Sequence, residues 1–421
     1  MPAPVASIIL YSMNPIASIP GRRVALAMLL AVNLLNYIDR QVLYAVFPLV
    51  KVDLQLSDTS LGLLGSAFML SYMVAAPMFG WIGDRKNRVH LAAGGLVAWS
   101  LATIGAGFTR SYGALLAARS AVGIGEASFG TVSPGLISDY FPQERRGRAL
   151  AWFYLAIPVG SALGYLFGGV VGQRYGWQNA FLLAGVPGLL LATPLWRLRD
   201  PVRVLSGSPE SRLSSGYHEF LQNRSFITAT LSMAAMTFAL GGLAQWAPSF
   251  LNRMHGLDVA KGNTIFGGLT VVSGIIGTLA GGWLGDRMQA RSESGYLLVS
   301  GWGFVLGTPL LAWAIVAHDL NASLGAIFMA ETLLFLNTGP LNTVIVNVSA
   351  PKVRAMAFAI NIFAIHALGD AVSPAIIGVL SDSFGLRKAM LITPVAIAAA
   401  GGLSFLCCRW IAHDVQRAAE A

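Results

Sequence analysis

Gly80-Trp81-Ile82-Gly83-Asp84-Arg85 and Gly282-Trp283-Leu284-Gly285-Asp286-Arg287 are almost the same hexapeptide, placed 202 positions apart in a chain of 421 residues. Each one ends an apolar stretch that is long enough to cross a bilayer as a helix, which takes about 20 residues. Each of these stretches is also the second of its kind in its half of the chain. Since chance rarely gives such a coincidence, the repeat indicates two related halves.

Further matches support the repeat. They pair Phe141-Pro142 with Ala350-Pro351, Arg145 with Arg354, Gly160 with Gly369, and Gly176 with Gly385. The same turn and helix signals therefore recur at corresponding places, which predicts two halves in the same order along the chain.

The composition is that of a protein that crosses a membrane many times. Hydrophobic residues make up 55% of the chain and charged residues 11%, whereas a soluble protein carries about 25% charged residues. The 47 glycines suit helices that must approach one another closely in lipid. The short alternating segments of a membrane β-barrel are not visible. Twelve apolar stretches are predicted to span the bilayer, near residues 23–49, 60–82, 90–109, 112–138, 148–172, 177–197, 225–251, 262–285, 295–317, 322–349, 355–380 and 388–411.

The basic residues indicate the orientation in the membrane. Lys and Arg total 28, and they concentrate in the short loops on one side. With the N-terminus inside, 19 of them lie on the cytoplasmic side and 7 on the other. Because cytoplasmic loops carry an excess of basic residues, both termini and the linker are predicted to be cytoplasmic. The same rule explains the net charge of +9 without a nucleic-acid partner.

The stretch from Gly80 to Arg88, GWIGDRKNR, resembles the loop motif between spans two and three of the major facilitator superfamily. The resemblance implies an all-α membrane protein with 12 transmembrane helices in two six-helix bundles and a substrate site between them. On this prediction the N-terminal bundle covers residues 1–198, the cytoplasmic linker covers 199–222, and the C-terminal bundle covers 223–421.

The loop motif also predicts a group of gating residues on the cytoplasmic side. Its glycines would let helices approach, and its carboxylate would meet a helix N-terminus or nearby arginines and so latch one conformation. The alternative is ordinary loop charge that serves only topology. The predicted gating residues are Gly80, Gly83, Asp84, Arg85, Asp139, Glu144, Arg145, Arg148, Asp286 and Arg287.

Four blocks resemble the Spinster branch of this superfamily. They cover residues 36–40, 119–128, 153–165 and, in the tenth span, 331–337. Eukaryotic Spinster proteins are associated with lysophospholipids and sphingosine-1-phosphate, so the resemblance implies a small amphipathic, lipid-like substrate. The compact chain suggests a bacterial relative in the inner membrane, and the resemblance implies a monomer.

Charged residues inside the predicted spans are expected to have a specific role, because inserting each one into the membrane costs at least about 2.5 kcal/mol. Asp39 lies in the first span, and Arg119 and Glu126 lie in the fourth. Our hypothesis is that Asp39 and Glu126 form a proton-coupling pair. Arg119 would reach Asp39 and tune it, and Glu126 would be left free to take up protons. The alternative is an ion cluster that only joins the two helices.

Residues near the predicted cavity are expected to bind the substrate. Arg40 could hold a phosphate or carboxylate head by paired hydrogen bonds, although the acidic residues compete for it. His366 and Asp370, four residues apart in the eleventh span, share one helix face and could bond each other or the substrate. The predicted substrate-binding residues are Arg40, Tyr37, Phe129, Tyr154, Glu331, His366 and Asp370.

These features favour secondary active transport of the substrate by alternating access, coupled to a proton gradient. A nucleotide-binding P-loop is not visible, so ATP is not expected as the energy source. The catalytic motifs GxSxG and HExxH are also missing, which argues against an enzyme, and neither a metal nor a cofactor is expected. The alternatives are an organic-anion or drug carrier of the same superfamily and, more distantly, a receptor or a lipid enzyme. Symport and antiport remain open.

Overall fold

The computed structural model describes residues 21–201, 222–350 and 353–420, and it leaves out the side chains of residues 143, 144 and 355. Throughout this described part the regular structure is helical. Most of the predicted linker, residues 202–221, lies outside it. The helices of the first half are α1 (Arg22–Ala45), α2 (Phe47–Asp53), α3 (Asp58–Arg85), α4 (Arg88–Gly107), α5 (Tyr112–Tyr140), α6 (Gln143–Tyr175) and α7 (Trp177–Trp196).

The second half repeats this pattern with more interruptions. Its helices are α8 (Arg224–His255), α9 (Val259–Gln289), α10 (Gly295–Val316), α11 (Leu320–Phe335), α12 (Pro340–Asn347), α13 (Arg354–Ile365), α14 (Ser373–Phe384), α15 (Leu386–Met390), α16 (Ile392–Cys407) and α17 (Ile411–Glu420). Pro340 and Pro374 stand in the first turns of α12 and α14, where a missing backbone N–H costs nothing.

Twelve membrane spans follow from these helices. Ten helical segments of the described chain are long and apolar enough to cross a bilayer, with α11–α12, α13–α14 and α15–α16 each forming one span. The other two spans are α1 and α5, the long helices that carry the intramembrane charges. The predicted fold of two six-helix bundles is therefore confirmed.

The two ends of the molecule differ in how the halves meet. We call the end where α1 begins the terminal face and the end where α1 finishes the far face. Toward the far face, α3 packs on α14 and α6 packs on α9 across the two halves. Both Arg253 guanidinium nitrogens bind the Asp58 carboxylate at 2.7 and 2.9 Å. The Asp382 carboxylate accepts from the backbone N–H groups of Asp58 and Thr59, at 2.8 Å each.

Among the described residues, the side-chain bonds at the terminal face stay within one half. Arg88 binds Asp200 in the first half, and the Tyr296 hydroxyl donates to Asp286 in the second. The contacts between the halves therefore hold the far face closed in this conformation.

A glycine seam joins α1 to α6. A side chain at Gly160 would lie 2.8 Å from the backbone oxygen of Leu34, and one at Gly164 would lie 2.6 Å from that of Ile38. Gly168 is equally close to the α1 residue Ala45. These glycines recur every four residues along one face of α6, so the two helices touch with little side chain between them.

A candidate coupling and substrate site between the halves

The intramembrane charges of α1 and α5 form one buried cluster. The Arg40 guanidinium donates to the Glu126 carboxylate at 2.7 Å, and Glu126 is fully buried. Because Arg40 and Glu126 are on different helices, this bond also ties α1 to α5. The structure differs here from the hypothesis that Glu126 is left free, because the Arg40 guanidinium bonds directly to its carboxylate.

The other two charged residues of the cluster lie deeper. Asp39 is 3% exposed and accepts a hydrogen bond from the Thr103 hydroxyl of α4. Arg119 is fully buried, and its guanidinium nitrogens have no hydrogen-bond partner within the described chain. The predicted bond from Arg119 to Asp39 is therefore not formed in this conformation. The two arginines and two carboxylates are nonetheless close enough to interact electrostatically, and their formal charges cancel.

Aromatic rings enclose the Arg40 guanidinium. The Tyr37 and Phe68 ring centroids each lie 5.0 Å from it, and the Tyr72 centroid lies 5.2 Å away. The guanidinium of Arg119 is also 5.0 Å from the Phe68 centroid. Such cation–π contacts stabilise a charge that has little access to water. The side chain of Arg40 is still 16% exposed, so it remains the most accessible basic group of the cluster.

The aromatic residues predicted to contact substrate have different surroundings. Tyr37 is half-buried beside Arg40, and Tyr154 is exposed. Phe129 is fully buried, with its ring centroid 5.9 Å from that of Trp99 and 6.2 Å from that of Phe153. The structure therefore places Phe129 in the core of the first half, where it supports the helix packing and cannot touch a substrate in this conformation.

A second polar group lies on an irregular turn of the second half. Residues His366–Asp370 form a π-helical turn between α13 and α14, and Gly369 has non-helical backbone angles of φ −103° and ψ −107°. The His366 Nδ1 atom lies 2.9 Å from Asp370 Oδ1. Both side chains are partly exposed. Wide turns of this kind are often found at functional sites in helices.

Tyr44 of α1 is within electrostatic range of both polar groups. Its hydroxyl interacts electrostatically with Arg40, Glu126 and Arg119 of the first half and with Asp370 of the second. The sequence analysis missed Tyr44 and Thr103. A tyrosine one helical turn beyond Arg40 on a predicted cavity-lining span is the signal that could have found the former. Thr103 lies on α4 among apolar residues, where no residue pattern marks it as part of a site.

Glu331 is separate from the His366–Asp370 pair. It is 2% exposed and accepts hydrogen bonds from the α9 hydroxyls of Thr270, at 3.3 Å, and Ser273, at 3.0 Å. The structure therefore buries Glu331 between α9 and α11 with neutral partners. That setting is unlike the arginine-rich surroundings of Glu126.

The predicted gating residues of the first half have different surroundings in the described part of the chain. Arg88 donates to Asp139 at 2.6 Å and to Asp200 at 2.7 Å, so it connects the end of α5 with the chain after α7. Arg145 and Arg148 lie instead on an exposed groove beside α1. The side chain of Glu144 is outside the described residues.

Both copies of the repeated hexapeptide place a tryptophan and an arginine on the outer surface. Trp81 is 61% exposed and Trp283 is 62% exposed. The Arg85 guanidinium lies 4.2 Å from the Trp81 centroid, and that of Arg287 lies 5.7 Å from the Trp283 centroid. Exposed tryptophan and arginine side chains at the end of a membrane span are typical of anchors at a membrane surface.

Comparison with known proteins agrees with this architecture. Residues 29–374 match the family model of the Major Facilitator Superfamily. Because the match covers most of the chain, the protein belongs to the Major Facilitator Superfamily, which defines its class as a membrane transporter and not an enzyme.

Its relatives place it more narrowly within the Spinster family. The chain is 34% identical over 440 residues to protein spinster homolog 3 of Danio rerio, covering 96% of this chain and 88% of that protein. It is likewise 34% identical over 428 residues to human protein spinster homolog 1, covering 92% of this chain and 80% of that one.

A solved structure shares the fold over almost its full length. It is the crystal structure of a bacterial homolog to the human lysosomal transporter Spinster, in an inward-facing and unoccupied conformation. The TM-score is 0.86 at 25% sequence identity, and the alignment covers 94% of this chain and 99% of that one.

Proposed function

We propose that this protein is a proton-coupled transporter of an amphipathic, lipid-like anion, working by alternating access. The observation that carries the proposal is the buried Arg40–Glu126 ion pair. It holds a proton acceptor and an anion-binding group in direct contact at the space between the halves.

We infer the orientation from the distribution of basic residues, and the conformation from the end of the molecule at which the halves are joined. The terminal face carries most of the basic residues, so it is the cytoplasmic side, and both termini lie there. The far face, closed by Asp58 with Arg253 and Asp382, is then the outer side. The molecule is accordingly inward-facing, like the bacterial Spinster homolog. We also propose that it works as a monomer in a bacterial inner membrane.

The ion pair suggests how proton and substrate are linked. An anionic head that binds the Nε edge of Arg40 competes with the carboxylate of Glu126, which occupies that Nε atom. A displaced, fully buried carboxylate without its partner is costly, and protonation removes that cost. Binding of the anion and of a proton therefore favour each other, which predicts movement of both in the same direction. Asp39, held by Thr103, is the second carboxyl that can share the proton.

The substrate class is inferred from the surroundings of Arg40. Its paired nitrogen donors suit phosphate or carboxylate, while Tyr37, Phe68 and Tyr72 supply apolar surface next to it. The His366–Asp370 turn offers a place for an amino group or hydroxyl of the same molecule. A lysophospholipid or a sphingoid phosphate has all three parts. An organic anion or drug is the second candidate, because such a molecule requires only an anionic group that binds Arg40 and a contact with an aromatic ring.

Uptake into proteoliposomes tests the coupling. We expect the Glu126→Gln variant to lose the dependence of transport on a pH gradient, since its side chain cannot exchange a proton. The matched control is Glu293→Gln, which removes an exposed carboxylate and should transport like the wild type. Undiminished, pH-gradient-dependent uptake by Glu126→Gln would overturn the proposed coupling.

A panel of labelled compounds tests the substrate class separately. Lysophospholipids, sphingoid phosphates, organic anions and cationic drugs are compared for saturable uptake. Saturable uptake of the first two alone supports a lipid-like substrate. Movement of only non-amphipathic anions would refute that class while leaving the coupling intact.

A further inference from the structure

A basic groove lies on the outer surface of the first half, where α1 and α6 meet at the terminal face. Its volume is about 670 Å³. Three exposed arginines surround it, Arg23 on α1 and Arg145 and Arg148 on α6. Its apolar wall includes Leu26 and Leu30. The groove is thus positively charged at its mouth and apolar along its wall.

Trp152 completes this groove and is 55% exposed. It stands one helical turn beyond Arg148, on the same side of α6. A half-exposed tryptophan next to arginines is the composition found at the level of lipid headgroups. This places the mouth of the groove at the boundary between headgroups and hydrocarbon.

An exposed apolar strip continues from the groove along α6. It consists of Leu155, Val159 and Leu163, which are 40%, 36% and 39% exposed. Their spacing of four residues keeps them on one helix face with Trp152. From Arg148 to Val159 the helix rises about 16 Å, which is close to half the thickness of a hydrocarbon core of about 30 Å.

A second cavity adjoins the end of this strip. It has a volume of about 570 Å³ and lies between α1, α6 and α7. Leu163 and Leu166 of α6 form part of its apolar wall, with Leu35 and Ile38 of α1 on the other side. An extended hydrocarbon chain that follows the strip would therefore enter an apolar recess.

We propose that this surface binds one anionic phospholipid from the leaflet at the terminal face, with its phosphate on Arg23, Arg145 and Arg148 and its acyl chain along α6. The charge of the mouth and the length of the strip match the two parts of such a lipid. A protein partner would not require a positively charged mouth that is followed by an apolar strip for one acyl chain. The site is on the outside of the bundle and is separate from the space between the halves.

Quenching of Trp152 by brominated lipids tests the proposal. The full chain is placed in nanodiscs of phosphatidylcholine that contain increasing fractions of acyl-brominated phosphatidylglycerol or, in parallel, brominated phosphatidylcholine. The signal of Trp152 is the difference between the wild type and Trp152→Phe. We expect half-maximal quenching at a fraction about tenfold lower for phosphatidylglycerol. A basic residue near a membrane surface adds up to about fivefold to the attraction, and about twofold from each of three water-exposed arginines multiplies to roughly tenfold.

Two sets of variants separate this groove from a general effect of charge. Arg23→Gln, Arg145→Gln and Arg148→Gln together should abolish the preference. Arg148→Gln alone should reduce it about twofold, as one of three similar contributions, which keeps the test available if the triple variant is unstable. The control combines Arg197→Gln, Arg291→Gln and Arg409→Gln, three exposed arginines outside the groove, and should keep the tenfold preference. Equal quenching by the two lipids, or an equal loss in the control, would overturn the proposal.

Discussion

Arg253→Met removes the ion pair that joins the two halves at the far face. Asp58 is 4% exposed and receives two hydrogen bonds from Arg253, and a hydrogen bond to a charged group contributes about 1.5–3 kcal/mol. Asp58 keeps the Lys51 ammonium and the Ser381 hydroxyl as partners, and Arg253 is partly in water, so we expect a net loss of about 2 kcal/mol. That loss falls only on the closed state and raises the ratio of open to closed molecules about 30-fold.

Distance measurements between spin labels at the far face report this ratio. Val52→Cys on α2 and Asn321→Cys on α11 are exposed positions in opposite halves, and Cys407 and Cys408 are replaced in the background. The matched control is Arg387→Met, which removes a cation of the same face that lies within hydrogen-bonding distance of His318 in its own half. We expect a longer distance to gain population in Arg253→Met alone. Unchanged distance distributions, or the same change in the control, would refute the assignment of this ion pair as the outer closure.

Three further substitutions test the packing and the buried charges. Gly164→Ala should lower the free energy of unfolding by about 1–3 kcal/mol, because its methyl group overlaps α1. Gly147→Ala, in open space on the same helix, should leave it unchanged. Equal melting temperatures of the two variants would contradict the close contact of α1 and α6 at Gly164. Arg88→Met should cost about 3 kcal/mol, since it leaves two carboxylates without their cation, and the exposed Arg85→Met under 1 kcal/mol, both measured by thermal denaturation. Thr103→Val should shift the pH profile of transport without changing the folded yield, and an unaltered profile would remove the threonine from the coupling site.

The fold could be predicted from the sequence because it depends on signals that are local and repeated. Apolar length identified the spans, and the hexapeptide at Gly80 and Gly282 identified the halves. The exact boundaries of the second half could not be found in this way. Its tenth and eleventh spans are broken at Pro340 and at the His366–Asp370 turn, and a hydropathy window averages over such breaks.

The sequence indicated which charged residues lie inside the spans, but it did not indicate which of them form ion pairs. The cost of charge in a span singled out Asp39, Arg119 and Glu126. The structure brings these residues together with Arg40 in one buried cluster. Which carboxylate meets which arginine depends on the rotation of α1 against α5, which no residue pattern within one helix specifies. Phe129 shows the same limit, because an aromatic residue in a cavity-lining span can face the core as easily as the cavity.

The glycine seam between α1 and α6 has a mechanical consequence. With almost no side chain between them, the two backbones are in direct contact over several turns, and we expect the helices to move together. The same α6 packs against α9 of the other half near the far face, and α1 carries Asp39 and Arg40. Separation of the halves at the outer side would therefore displace the charged cluster through this helix pair, and the force that opens one end of the protein would reach the ion pair without passing through any flexible loop.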